Sequence, residues 1–341
     1  MSRLPHAVPN RPLPSLPPLT GYCFGTGSAS TDETITATLA AVTSQPMFIT
    51  EGVGSGGKLL GGKKVPQTPD GHTPGNKNVF RGAAFGVGTD FNVEAAMTHI
   101  REYANKGGRT VNLCGWSRGA VTCFKIAHQV SAENLTITAI NIFAFDPVPG
   151  DAVGNKHMWR GLSLGAKVNR CVIILAQHDR RKEFHAAVPS LGNQVVSVDV
   201  MPGNHRSILQ KTDGLGACYK VNLDRCAKFL RDHGTRLNYN NWLPDSQILK
   251  LYTKMLRKWG NYEAMGVEQG GWMRKYGNLD RVVKGFNRTE IARLTPASPV
   301  GAVRSAVNLR LPFFINDHHA GIFRTAYPRL HTLLRNGQQS P

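Results

Sequence analysis

The sequence predicts an α/β protein built on a mostly parallel central sheet. Three observations carry the prediction. Residues 137–145 and Cys171–Ala176 are short, continuously apolar runs, as strands buried on both faces must be. Stretches with apolar residues at helical spacing separate such runs. The runs end in turns rich in Gly, Asp, Pro and His, and open parallel sheets collect their ligand contacts at strand C-termini. A chain of 341 residues is long enough for one large domain or two small ones.

Taken in order, residues 1–20 are a proline-rich leader (Pro5, Pro9, Pro12, Pro14, Pro17, Pro18). Each proline fixes φ and removes a donor, which favours an extended arm. Gly21–Phe24 starts the first strand, and Gly25-Thr26-Gly27-Ser28 ends it. Residues 32–44 read as a helix with Ile35, Leu39 and Val42 on one face. Residues 46–50 are a second strand. Residues 54–78 are dense in Gly, Pro and Lys and read as a long mobile loop. No Gly-Lys-Ser/Thr follows the glycine run, so a phosphate-binding P-loop is excluded. A helix over 89–106 (Phe91, Val93, Ala96, Ile100, Tyr103) leads to the strand Thr110–Cys114.

That strand runs into Gly115-Trp116-Ser117-Arg118-Gly119 and then an apolar helix. Strand, Gly-x-Ser-x-Gly and helix in succession is the context of a nucleophile elbow. It lifts the Ser117 hydroxyl off the sheet edge at a helix N-terminus, where the Arg118 amide faces a developing oxyanion. Gly25 and Thr26, after the first strand, are candidates for a second oxyanion donor. Three further strands follow. The first ends at Asp146, the next at His178-Asp179, and the strand over 194–200 just before His205. Ser117 needs a base, which His205 supplies, and His205 needs a carboxylate, supplied by Asp146 or Asp179. His318 and His319, with Asp317, form a rival histidine cluster after a long helical stretch. No metal-ligand spacing stands out, and no cofactor is expected.

Beyond residue 206 the pattern turns helical, over 223–230, 246–259 and 303–309. Trp242, Trp259, Trp272 and Tyr276 are candidates for helix packing or an apolar cover. The chain therefore divides into a leader (1–20), an α/β core (21–210) and a helical cap and C-terminal part packed on it (211–341).

Lys and Arg number 41 against 22 Asp and Glu, a net charge of +19. Such a surface attracts polyanions. The basic residues are scattered, and no RRM, zinc-finger or helix-turn-helix signature accompanies them, so nucleic acid is not expected as a partner. An anionic membrane surface is. Cys23, Cys114, Cys123, Cys171, Cys218 and Cys226 show no C-x-x-C spacing and read as reduced, mostly buried thiols. No signal-peptide h-region and no run long enough to span a bilayer is present.

Together these segments resemble the α/β-hydrolase domain of bacterial type VI secretion phospholipase effectors and their uncharacterised relatives. Phe24-Gly25-Thr26-Gly27 stands where that family has Asp-Gly-Thr-Gly. Glu51-Gly52-Val53-Gly54 is similar to its Pro-Gly-Val-Gly, and Gly115-Trp116-Ser117-Arg118-Gly119-Ala120 to its Gly-Phe-Ser-Arg-Gly-Ala. Phe145-Asp146-Pro147-Val148-Pro149-Gly150 resembles its Phe-Asp-Thr-Val-Gly. Asp179-Arg180-Arg181-Lys182-Glu183-Phe184 resembles its Asp-Glu-Arg-Arg-x-x-Phe. Pro202-Gly203-Asn204-His205-Arg206-Ser207 resembles its Pro-Gly-Val-His-Ser-Asp. The match runs over residues 21–210 in the family's own order. The chain departs from it at Phe24, and at Arg206–Leu209, where the family has an acidic, glycine-rich tail.

The resemblance implies an α/β-hydrolase fold, a triad of Ser117, Asp146 and His205, and hydrolysis of glycerophospholipid esters by a phospholipase A-type serine hydrolase. It implies a toxin made in the bacterial cytoplasm, secreted without a signal peptide and peripheral on target membranes. An immunity protein or secretion chaperone would then be a partner. A soluble esterase, thioesterase or acyltransferase is the alternative enzyme, and a hydrolase-fold interaction module the non-catalytic one.

Overall fold

The computed structural model describes residues 16–30, 32–53, 89–149, 164–176, 195–201, 203–211, 216–248 and several positions of 250–255. Short pieces at 59–60, 63–64, 186–187, 189 and 283–284 complete the described residues.

Six strands form the central sheet: β1 (Leu19–Cys23), β2 (Met47–Thr50), β3 (Thr110–Trp116), β4 (Ala139–Phe145), β5 (Val168–Ala176) and β6 (Val195–Met201). Their order is β2-β1-β3-β4-β5-β6, and every neighbouring pair is parallel. Helices α1 (Ile35–Val42), α2 (Thr89–Asn105), α3 (Arg118–Ala132) and α4 (Ala217–Asp232) accompany them. The chain steps outward from β1 to β2, crosses back over β1 to β3, and then steps outward in the other direction. Crossovers between parallel strands are right-handed, so this reversal sends helices to opposite faces. It also opens a crevice at the carboxyl ends of β1 and β3, the switch point where open α/β sheets place their sites.

Strand residues alternate between the two faces with period two. Tyr22, Cys114, Trp116, Phe143, Phe145 and Ile174 pack with α1 and α4. Cys23, Leu113, Ile142, Ala144 and Ile173 pack with α2 and α3. Thr34 caps α1, its Oγ1 accepting the Ala37 N–H at 3.1 Å. All six cysteines are buried thiols outside any disulfide. Burial pushes the thiols of Cys123, Cys171 and Cys226 up, away from the reactive thiolate. Among the described residues, no helix is long and apolar enough to cross a membrane.

The architecture is α/β, as the strand pattern predicts, but several boundaries differ. β1 begins at Leu19, inside the expected leader, and that end is anchored. The Pro17 carbonyl accepts from Tyr103 Oη at 2.9 Å, and the Pro18 carbonyl from Gln45 Nε2 at 2.6 Å. A proline is tolerated just before a strand because no ladder donor is needed there. β3 runs two residues past Cys114, so its turn begins only at Ser117. Within the expected loop over 54–78, Leu59–Leu60 pairs antiparallel with Lys63–Lys64. Residues 1–15, the stretch 303–309, Trp259, Trp272 and Tyr276 lie outside the described residues.

α4 is longer than the helix expected over 223–230 and is buried on nearly all sides, including Asn222, Asp224 and Arg225. Its exposed positions, Lys220, Arg231 and Asp232, are few, and these polar side chains sit buried beside apolar ones. Ile248, Leu251, Tyr252 and Met255 share the same core. The first part of the 211–341 segment therefore belongs to the helical layer against the sheet. The division at 210 passes through that core.

A ladder of amides, buried at Asn112 and Asn141 and exposed at Asn169, ties the end of α4 to the sheet. Asn169 Nδ2 donates to Asn141 Oδ1 (3.1 Å), Asn141 Nδ2 to Asn112 Oδ1 (2.9 Å), and Asn112 Nδ2 to both the His233 carbonyl and Thr235 Oγ1 (2.9 Å each). Removing the central member leaves its buried neighbours without those bonds. Asn112→Ala is expected to cost about 1–3 kcal/mol. The check is a lower urea midpoint at unchanged slope.

Candidate active site

Ser117 has two backbone roles at once. Its N–H donates to the Phe145 carbonyl at 2.9 Å, continuing the β3–β4 ladder. Its carbonyl accepts from Ala120 (3.1 Å) and Val121 (3.3 Å) in the first turn of α3, and from Val148 (3.2 Å). Ending a strand and capping a helix at one residue demands an abrupt reversal, and Ser117 makes it at φ 56°, ψ −123°. Side chains rarely occupy that region. Among the described residues the only other non-glycine with positive φ is Asp146, at φ 37°. Such backbone outliers cluster at functional sites. The tight turn also forces α3 against β1. A Cβ on Gly119 would lie 2.1 Å from the Cys23 carbonyl oxygen, so only glycine fits.

Asp146 follows β4 and is fully buried. Its N–H donates to the Ile174 carbonyl at 2.6 Å, and its Oδ1 accepts from the Ala176 N–H at 3.0 Å. The end of β5 thus orients the carboxylate. Its Oδ2 lies 2.7 Å from His205 Nδ1. An ionised carboxylate only accepts, so Nδ1 carries the proton and Nε2 is the basic nitrogen.

His205 is 2 % exposed, although it follows β6 at the sheet's edge. Two devices return it to the centre. Asn204 Oδ1 accepts from the N–H groups of Arg206 (3.1 Å) and Ser207 (2.9 Å), folding residues 203–209 into a tight turn. Ile208 and Leu209 then bury in the core beside α1, and the Leu209 carbonyl accepts from Ile35 N–H at 3.1 Å. The loop after β6 therefore crosses back over the sheet edge toward β1 and carries His205 over the end of β5 to Asp146.

Trp116, the residue before Ser117, closes the site. Its indole N–H donates to the His205 carbonyl at 3.1 Å, and its ring centroid lies 5.0 Å from that of the imidazole. The benzo ring packs on Gly25, where a Cβ would come within 2.6 Å of Trp116 Cε3. Gly25 and Thr26 follow β1, whose carboxyl end lies beside that of β3. The Gly25 carbonyl accepts from Ser28, and among the described residues no acceptor engages the N–H of Gly25 or Thr26. The turn is braced from behind. Ser30 Oγ donates to Glu51 Oε1 at 2.6 Å, and Ala29 N–H donates to Asp32 Oδ2 at 2.7 Å. Arg118 opens α3 and is buried, with Nε donating to the Pro149 carbonyl at 3.3 Å. Burial pushes its guanidinium down to about 10, which leaves it charged at neutral pH. The Ser117 side chain makes no capping hydrogen bond to α3.

Of the residues singled out by sequence, Ser117, Asp146, His205, Arg118, Gly25 and Thr26 gather at one end of the sheet. The carboxylate facing His205 is that of Asp146. Asp179, His178, Asp317, His318 and His319 lie outside the described residues. Sequence reasoning missed Trp116, Ala176 and Asn204. Trp116 occupies the variable position of the Gly-x-Ser-x-Gly turn. Ala176 acts through its backbone, and no residue type announces that. Asn204, beside a glycine, was the one readable turn signal. A buried carboxylate–imidazole pair near a serine at a helix N-terminus supplies the groups that nucleophilic acyl transfer requires.

No family model matches the chain, and no curated protein matches it. Among solved structures the chain is similar to an uncharacterized protein from Pseudomonas aeruginosa, at 11% identity and a TM-score of 0.48. The likeness covers 94% of this chain and 64% of that one, so the chain spans somewhat under two thirds of that protein's length.

Proposed function

We propose that this protein is a serine ester hydrolase of α/β-hydrolase type that cleaves carboxylic esters of glycerophospholipids. The observation that carries the reading is the buried Asp146–His205 pair, 2.7 Å apart, at the same sheet edge as Ser117 in its strained turn. Ser117 Oγ attacks the ester carbonyl and its proton passes to His205 Nε2. Asp146 holds the Nδ1–H and stabilises the imidazolium. The amide of Arg118 and the turn at Gly25 and Thr26 donate to the oxyanion. The C–O bond to the leaving alcohol then breaks, and His205 returns the proton to that oxygen. Water, deprotonated by His205, releases the fatty acid from the acylated Ser117. The resemblance to type VI phospholipase effectors supports a secreted antibacterial role.

The test is release of fatty acid from mixed phospholipid vesicles by the native chain. Release supports the reading. No release from vesicles or from short soluble esters overturns it, and cleavage of short esters alone points to a soluble esterase. The net charge of +19 holds the enzyme on anionic lipid. Binding to anionic vesicles is expected to weaken steeply as salt rises. Binding that ignores ionic strength would remove electrostatics from the account.

A further inference from the structure

Trp116 is one residue from the nucleophile, yet neither the triad nor the oxyanion donors use its side chain. Three contacts converge on it. The indole N–H donates to the His205 carbonyl at 3.1 Å. The ring lies against the imidazole, centroids 5.0 Å apart and planes tilted by 32°. Gly25 packs on the benzo ring so closely that a Cβ would approach to 2.6 Å. We infer that Trp116 is a positioning residue that sets His205 relative to Ser117, and Gly25 relative to both. The inference rests on the triad reading above.

Asp146 sets only part of the geometry of His205. Its Oδ2 grips His205 at Nδ1 alone. That hydrogen bond fixes the tautomer, and it acts on one edge of the ring. His205 also sits on a loop that has crossed from the far edge of the sheet. Trp116 adds two restraints, one on the main chain and one on the ring face. Because it is the last residue of β3 and is bonded covalently to Ser117, the restraint runs through a rigid strand end. Base and nucleophile are thereby referred to the same few atoms. The indole serves this role better than a phenyl ring, because only the indole carries an N–H for the buried carbonyl.

The decisive variants are Trp116→Phe and replacement of Trp116 by 3-benzothienylalanine, which keeps the indole shape and substitutes sulfur for N–H. Two quantities are read on each: kcat and KM for ester hydrolysis, and the downfield proton resonance of His205 Nδ1–H, assigned by its loss in Asp146→Asn. The expected result for the isostere is a fall in kcat of about 10- to 100-fold with KM within about twofold. The downfield resonance is expected to broaden or shift, while the melting temperature stays near native. An unchanged resonance with native kcat overturns the inference. A loss of kcat that tracks a lowered melting temperature, with the resonance intact, also overturns it and leaves Trp116 as core packing. The proton signal needs no turnover. If Ser117→Ala left hydrolysis intact, the triad reading would fail, and the resonance would still report whether Trp116 governs His205.

Discussion

Ser117→Ala is expected to lower kcat for phospholipid ester hydrolysis by about 10⁶-fold while leaving the fold intact. Losing the nucleophile of a triad has a cost of that order, because the three residues act as a unit. For the same reason the double variant Ser117→Ala, His205→Ala should be no worse than either single change. The effect falls on activity because the Ser117 side chain makes no capping hydrogen bond to α3, so its removal breaks no cap. Ser117→Gly sharpens the point. At φ 56°, ψ −123° a serine stores backbone strain that glycine does not. This variant should gain about 1 kcal/mol or more of stability while losing the same activity. Thermal melting and fatty-acid release on one preparation check both. Residual release within a hundredfold of native from Ser117→Ala would show that another group attacks the ester.

Asp146→Asn is the second large effect, a fall in kcat of about 10⁴-fold, or roughly 5.5 kcal/mol of transition-state stabilisation. The substituted amide keeps an oxygen for the Ala176 N–H but can present its own N–H to His205 Nδ1. The imidazole then takes the other tautomer, with its proton on Nε2, and cannot accept one from Ser117. Stability should change far less than activity, because shape and burial are retained. The variant also separates the two candidate carboxylates. If Asp179 served His205 during turnover, Asp146→Asn would stay within about tenfold of native and Asp179→Asn would show the large loss. The measurement is kcat on a soluble ester, with intact folding verified by circular dichroism.

Ser117, Asp146 and His205 were legible because parallel sheets announce their strands and place chemistry where those strands end. Val111–Cys114, Ile140–Phe145 and Cys171–Ala176 are buried throughout because both faces of the sheet are covered. Once they are strands, the residues after them share one edge. Which carboxylate faced the base was not legible from spacing. That depends on the turn at Asp146, with its positive φ, and on the Ala176 N–H that aims the carboxyl group. α4 was only partly legible, because Asn222, Asp224 and Arg225 sit buried among its apolar residues, and polar residue types do not announce burial.

The sequence by itself determined the α/β class, the succession of strands along the chain and the serine turn, since each is written in local apolar runs and glycine spacing. Only the tertiary structure decided how a histidine beyond the outermost strand returns to the centre of the sheet. That return depends on Ile208 and Leu209 burying beside α1, on the turn held by Asn204, and on the indole of Trp116 grasping the His205 carbonyl. Two of these contacts join distant parts of the chain: Ile35 N–H reaches the Leu209 carbonyl, and Trp116 reaches His205, 89 positions away. Groups so far apart in sequence meet only when the chain has folded, so no local pattern records them.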